Sequence, residues 1–315
     1  MSNSAGIANF ALILLCLAAG TLLRKFKKLP DAAPRAFNEF IIYLSLPALI
    51  LVQVPALLSV THFDSGILVP LSMAWVLFAL SSLTFLLLGR KLSWSRQTIG
   101  GLILTAGLGN TAFVGFPLLE SLLGPGGLRV GVLTDQLGTF PALSTVGLLA
   151  ASWYAGARVS RSVMLRRVFT FPPLLALLLA VAWWATGLYG PGIAMTTLEK
   201  LASTLVPLAL VSVGFQLRID LDVLHRRKRD LFLGLGFKLL AAPLFFLALY
   251  VGIFAQRGLT VHATLLEAAM APMITAAIVA AEFGLDPEIA NLMVGVGIPL
   301  SLVTVPLWDL VLRNL

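Results

Sequence analysis

Residues 107–124 read GLGNTAFVGFPLLESLLG, with Gly107, Gly109, Asn110, Thr111, Gly115 and Pro117 inside eleven residues. Asn110 and Thr111 offer neutral hydrogen bonds, and the glycines and proline loosen the backbone around them. Pro117 lacks an N–H and clashes with the carbonyl four residues earlier; as a favoured first residue of a helix it is expected to start a second half-helix. A later stretch, LEAAMAPMITAAIVAAEFG, repeats the device, with Pro272 in its middle and Thr275 just beyond. Two half-helix N-termini brought together would present unpaired N–H groups and partial positive charge to one point. That chemistry suits an anion, most simply a carboxylate. The candidate binding residues are Asn110, Thr111, Pro117, Pro272 and Thr275.

The elements that must position these residues are membrane helices. The chain has 315 residues, 59% hydrophobic and 11% charged, against roughly 25% charged in a soluble domain. Apolar runs of about 18 residues or more recur along it, continuous and not alternating, which favours helices over an outer-membrane barrel. Helices are expected at 6–23, 37–58, 66–88, 98–124, 130–153, 172–190, 198–215, 231–254, 262–284 and 288–311. The breaks then lie in helices four and nine. In lipid, freed backbone groups survive only where protein or an aqueous cavity satisfies them.

Four loops carry most of the cations: five Lys/Arg in Arg24–Arg35, three in Arg90–Arg96, four in Arg158–Arg167 and five in Arg218–Arg229. These are loops one, three, five and seven, so the positive-inside rule makes them cytoplasmic and puts both termini outside. Arg24, Lys25, Lys27 and Lys28 follow the first apolar core, the wrong order for a cleaved signal peptide. The net charge of +8 is spread over short loops and does not point to nucleic acid. Cys16, alone, forms no intrachain disulfide and reads as packing.

The chain repeats itself. LSLPALILV (44–52) resembles LVPLALVSV (205–213), and FPALSTV (140–146) resembles IPLSLVT (298–304). Five helices per repeat put the second copy upside down, the inverted arrangement of secondary transporters. The expected fold is an all-α polytopic membrane protein with ten transmembrane helices in two inverted five-helix repeats, 1–153 and 172–315, joined by a cytoplasmic loop at 154–171. Helices four and nine are broken and cross.

Ionisable residues inside the bilayer are costly and are functional candidates by default. Asp135 and Gln136, in VLTDQLGTFP, are candidates for proton coupling or a hydrogen-bonded structural pair. Glu120 either lines the outer pathway or caps its own half-helix. Lys238, roughly 10 Å deep at ~1.5 Å per residue, either snorkels to the cytoplasmic interface or pairs with Asp135 or attracts the anion. Glu267 and Glu282 fall near the ends of helix nine and are expected to reach water. Asp309 and Trp308 read as interfacial. His62, His225 and His262 all fall at helix ends. With no Gly-x-Gly-Asp or Gly-x-Ser setting and no metal-ligand cluster, a membrane-embedded enzyme is the weaker reading, and no cofactor is expected.

GNTAFVGFPL, AMAPMITAAIVAAEFG and LSLPALIL together resemble the auxin efflux carrier family of permeases, over essentially the whole chain. Its bacterial members include malonate and malate carriers and its plant members the PIN-FORMED auxin transporters. Family members often carry Asn or Ser after the helix-nine proline, where this chain has Met273-Ile274-Thr275. The resemblance implies a fold like that of bile-acid symporters and sodium/proton antiporters. Helices 1, 2, 6 and 7 would form a scaffold, and helices 3–5 and 8–10 a core that moves as an elevator. It implies a small organic anion bound at the helix 4/9 crossover. The alternative on the same fold is a sodium-coupled symporter of larger amphipathic anions. The expected setting is a bacterial inner membrane, with lipids and a second copy docked through scaffold helices as partners.

Overall fold

Where they are described, the apolar runs of the sequence are helical apart from short breaks, among them 108–110 and 269–273. The computed structural model describes residues 3–60, 68–156, 169–217 and 221–313. His62, the Arg158–Arg167 cluster and Arg218 lie outside them. The helices are α1 (Asn3–Lys25), α2 (Ala33–Phe40), α3 (Leu46–Val60), α4 (Leu68–Lys91), α5 (Arg96–Gly107), α6 (Phe116–Leu133), α7 (Phe140–Ala142), α8 (Leu148–Ala155), α9 (Pro172–Ala185), α10 (Ile193–Ala202), α11 (Leu205–Gln216), α12 (Leu221–Gly236), α13 (Ala242–Phe246), α14 (Leu259–Ala268), α15 (Ile274–Glu282) and α16 (Pro287–Leu312). Among the described residues there is no strand, and five helical stretches are long and apolar enough to cross a membrane: Ala33–Ala56, Leu68–Lys91, Ile193–Gln216, Leu221–Ile253 and Pro287–Leu312.

Proline shapes several of these helices without ending them. Pro47, Pro117, Pro141 and Pro243 each stand two residues past a π-helical turn: Ile41–Ser45, Thr111–Gly115, Thr134–Thr139 and Phe237–Ala241. A proline ring crowds the carbonyl one turn back and supplies no N–H to it. Widening the turn to i→i+5 bonding carries that carbonyl aside while the helix continues. Further π turns at Leu143–Gly147 and Leu247–Ile253 lack a proline at that offset, so proline is one cause among others. The chain reverses within α6 at Gly124, whose φ of 70° is open to glycine at little cost, and Pro125 begins the return.

α1 runs along α11 at backbone contact. A Cβ on Gly20 would lie 2.1 Å from the Val211 carbonyl oxygen, and one on Gly214 2.2 Å from that of Leu17. These two glycines let the helices approach closely, as small residues do between membrane helices. α3 packs on α9 and α10 over Leu49, Ala180 and Ala202. A larger apolar core joins α4, α5, α8, α12, α14, α15 and α16 through Leu77, Phe85, Leu102, Leu265 and Ile289. At one end of that core Arg227 pairs with Asp286 at 2.6 Å and Asp230 at 2.9 Å. Thr98 donates to the same Asp286 carboxylate at 2.6 Å, tying α5, α12 and α16 together.

Candidate functional site

α5 stops at Gly107, and the chain runs extended through Leu108 (φ −126°, ψ 124°) before Asn110 opens the next helical turn. α14 likewise stops at Ala268, and the chain is extended at Met273 (φ −72°, ψ 127°) before α15 begins. The two extended pieces lie antiparallel. The Asn110 N–H donates to the Ala271 carbonyl at 2.7 Å and the Met273 N–H to that of Leu108 at 3.0 Å. Gly109 and Pro272 face each other between those bonds. Because this is the position of the antiparallel pair that exchanges no hydrogen bond, proline's missing N–H costs nothing there. A Cβ on Gly297 would sit 2.6 Å from the Pro272 ring, so α16 presses a glycine against the crossing.

Both helical segments start at this crossing and point into one cavity. Asn110 caps the first: its Oδ1 accepts from the Val114 N–H at 3.3 Å, leaving the N–H groups of Thr111 to Phe113 without a partner inside the helix. Nothing caps the second, so the N–H groups of Ile274 to Ala276 are free in the same sense. The cavity between them has a volume of about 80 Å³ and is lined by Asn110, Thr111, Asp135, Thr275 and apolar side chains including Ile42, Phe113 and Leu205. Thr111 Oγ1 donates to Asp135 at 2.5 Å and Gln136 Nε2 donates to its other oxygen at 2.7 Å. The Asn110 amide nitrogen is buried with no partner.

Residues 7–309 match the family described as "Membrane transport protein". The chain belongs to that family, the auxin efflux carriers. An uncharacterized transporter of Methanothermobacter thermautotrophicus is 31% identical over 300 residues, covering 95% of this chain and 96% of that protein. A second uncharacterized transporter, from Methanocaldococcus jannaschii, is 24% identical over 314 residues, covering 96% and 97%. With its apolar helices, this auxin efflux carrier family member is a multi-pass membrane protein.

The sequence-marked residues of this family member divide. The structure brings Asn110, Thr111, Thr275 and Asp135 to the cavity. Gln136 is buried behind Asp135, and its Oε1 is unpartnered. Pro272 forms the crossing but does not line the cavity. The half-helix expected to begin at Pro117 begins instead at Thr111, with Asn110 as its cap. Pro117 is buried one turn further on and marks the π turn. Glu120 stands away from the crossover, in a separate cleft of about 330 Å³ with Gln53 and Glu199.

Lys238 does not snorkel to an interface. It is fully buried, and its Nζ donates to the Ala268 carbonyl at 2.7 Å. A Cβ on Gly109 would lie 3.4 Å from that nitrogen. The ammonium therefore sits beside the C-terminal ends of α5 and α14, where helix dipoles favour a cation. Asp309, expected at the interface, is buried and held by Arg313 at 2.7 Å, with His262 at 2.9 Å. Glu282 is exposed at the end of α15, as its position implied.

Glu267 departs furthest from its expectation of reaching water. It is fully buried, and neither carboxylate oxygen has a hydrogen-bond partner. Counting depth along one continuous helix put it near a surface, whereas it is the penultimate residue of a half-helix that stops at the crossing. The available signal was its spacing of five residues before Pro272.

Proposed function

We propose that the protein carries small organic anions across the membrane by alternating access, binding a carboxylate such as malonate, malate or an auxin-like acid where the two broken helices cross. The carrying observation is the bridge between Gly109 and Pro272, which aims two helix N-termini into one cavity beside Asn110, Thr111 and Thr275. A cavity of about 80 Å³ suits a small acid better than a larger amphipathic one.

The repeats in the sequence, together with the matching breaks, support two inverted halves, 1–153 and 172–315, and the basic loops support placing both termini outside; the membrane of this reading is a bacterial inner membrane. The packing of α1 on α11, and of α3 on α9 and α10, is consistent with a scaffold separate from the helices that carry the crossover. An elevator movement of the latter would expose the cavity to either side. A homodimer through scaffold helices is part of the same reading.

A thermal-shift screen of the detergent-purified protein against malonate, malate and an aryl acetate, with and without sodium, tests the site. A true substrate at 100 times its Kd stabilises by about 2.7 kcal/mol. Asn110→Leu is expected to keep the unliganded melting point and lose the ligand-induced shift. Full ligand stabilisation of that variant would remove Asn110 from the site, and no response of the wild type to any of these acids would overturn the carboxylate assignment.

A further inference from the structure

Behind the crossover lies a group that substrate binding does not explain. The Glu267 carboxylate is enclosed on all sides, and both of its oxygens lack a donor. The space it occupies is kept by two glycines. A Cβ on Gly115 would lie 2.7 Å from one oxygen, and a Cβ on Gly131 2.9 Å from the other. Gly115 closes the π turn that begins at Asn110, and Gly131 stands one turn before Asp135 on the same helical path. The carboxylate thus sits against both the substrate-binding turn and the helix that carries Asp135.

Two charged groups act on it electrostatically, Asp135 from the path of α6 and Lys238 from the π turn Phe237–Ala241 that follows α12. Lys238 is not within ion-pair distance and spends a hydrogen bond on Ala268. On Glu267's own helix, His262 lies more than a turn away, beside Asp309 on α16. From beyond α13, the Tyr250 hydroxyl is engaged with Ser72 of α4 at 2.9 Å. Asp135, by contrast, has donors that stabilise an ionised form: it accepts from Thr111 and from Gln136.

We propose that Glu267 is a proton-binding site of the transport cycle, holding a proton in this conformation and exchanging it through Asp135 with the cavity. The charge count supports this. With Asp135 ionised and Lys238 protonated, a neutral Glu267 leaves the buried trio at zero charge. An ionised Glu267 would leave it at −1 in an apolar enclosure without a single donor, which is strongly disfavoured. On release, the Glu267 O–H bond breaks, the proton passes to the Asp135 carboxylate and then to water in the cavity, and the electron pair stays on Glu267. On uptake the same steps reverse. A carboxylate arriving beside Asp135 favours protonation of the pair, so the anion and one proton cross together. This coupling rests on the proposed anion site; the protonation of Glu267 does not.

Infrared spectroscopy of the detergent-purified protein separates the two. The wild type is expected to show the carbonyl stretch of a protonated carboxylic acid, lost in Glu267→Gln and retained in Asp135→Asn. Absence of that band from the wild type, its survival in Glu267→Gln, or its disappearance when sodium is added at constant pH would overturn the proposal, the last in favour of a cation site. In the second arm, vesicles containing a trapped pH dye receive radiolabelled malonate. The wild type is expected to acidify the lumen during uptake. Glu267→Gln, which keeps the shape of the neutral acid, should retain malonate exchange and lose both acidification and accumulation driven by a pH gradient. Malonate uptake without proton movement would overturn the coupling. A wild type that moves no malonate while the infrared band behaves as expected would point to failure of the anion reading alone. Should Glu267→Gln not fold, Glu267→Asp, with its carboxyl drawn back from the glycines, is expected to shift the band; an unshifted band would contradict the assignment.

Discussion

At the scale of single residues, Lys238 and Glu267 are buried behind the crossing, apart from the polar groups that face the cavity. Lys238 is held at the C-terminal ends of two half-helices by a 2.7 Å bond to the Ala268 carbonyl. Lys238→Met removes a charge that complements those ends and leaves a buried acceptor without its donor. Losing a hydrogen bond from a charged donor costs roughly 2–3 kcal/mol, so the variant is expected to melt well below the wild type in detergent. An unchanged melting point would show that the ammonium is not part of the fold. Gly115 makes the complementary case. Its missing Cβ is space for the Glu267 carboxylate, 2.7 Å away. Gly115→Ala should cost about 1–3 kcal/mol by overpacking, and most of that cost should vanish in a Glu267→Ala background, because the two changes share one space. Additive effects on melting would separate glycine from carboxylate. Asn110 and Thr111 were legible in the sequence because polar groups beside glycines inside an apolar run have few other uses. Glu267 was not, since its depth depends on where its helix stops, and a sequence read as one continuous helix hides that point.

At the scale of elements, the two prolines that mark the breaks turn out to do different things. Pro272 sits within the antiparallel crossing at the position that exchanges no hydrogen bond, with its ring against Gly297. Pro272→Ala would add an N–H to which the crossing offers no partner and open a void beside α16. A buried unsatisfied donor costs about 1–3 kcal/mol, so this variant is expected to be less stable and to bind substrate poorly. Pro117 lies past the π turn Thr111–Gly115, where the helix has already resumed. Pro117→Ala restores the N–H that the turn widened to do without, and its stability should equal or exceed that of the wild type. Comparing melting points and ligand shifts of the two variants tests the distinction, and equal losses in both would show that the prolines act alike. The existence and spacing of the breaks were readable from Gly and Pro in apolar sequence. Which residue restarts the helix was not, because proline is compatible both with a first helical turn and with a π turn that lets the helix continue. That choice is made by Asn110, whose side chain reaches the Val114 N–H.

At the scale of the whole molecule, the cavity lies between two larger openings. One, of about 670 Å³, is lined by Asp31, Asn38, Glu39, Gln216 and Glu282 and shares Ile42 with the crossover cavity. The other, with Gln53, Glu120 and Glu199, shares Leu205 with it. In the proposed orientation, with the basic loops inside, the first opening faces the cytoplasm, because Asp31 lies within the first basic loop and Glu39 just after it. Each opening is walled on one side by helices of the proposed scaffold and on the other by helices of the proposed core. If transport is a movement of one group past the other, Asn38 and Glu282 must change their separation in every cycle, whereas two residues of the scaffold must not. Ser45 and Thr204 supply that control, their hydroxyl oxygens lying 2.7 Å apart between the α2–α3 turn and the start of α11. In a background of Cys16→Ala, the pair Asn38→Cys and Glu282→Cys joined by a bifunctional thiol reagent is expected to lose uptake into vesicles. The pair Ser45→Cys and Thr204→Cys, oxidised to a disulfide, should transport normally. Reduction of a cleavable linker should restore uptake to the first pair. Undiminished transport with Asn38 and Glu282 joined would mean that the two walls of the opening travel together, and the alternating exposure of the crossover would then have to arise from movement within the core helices themselves.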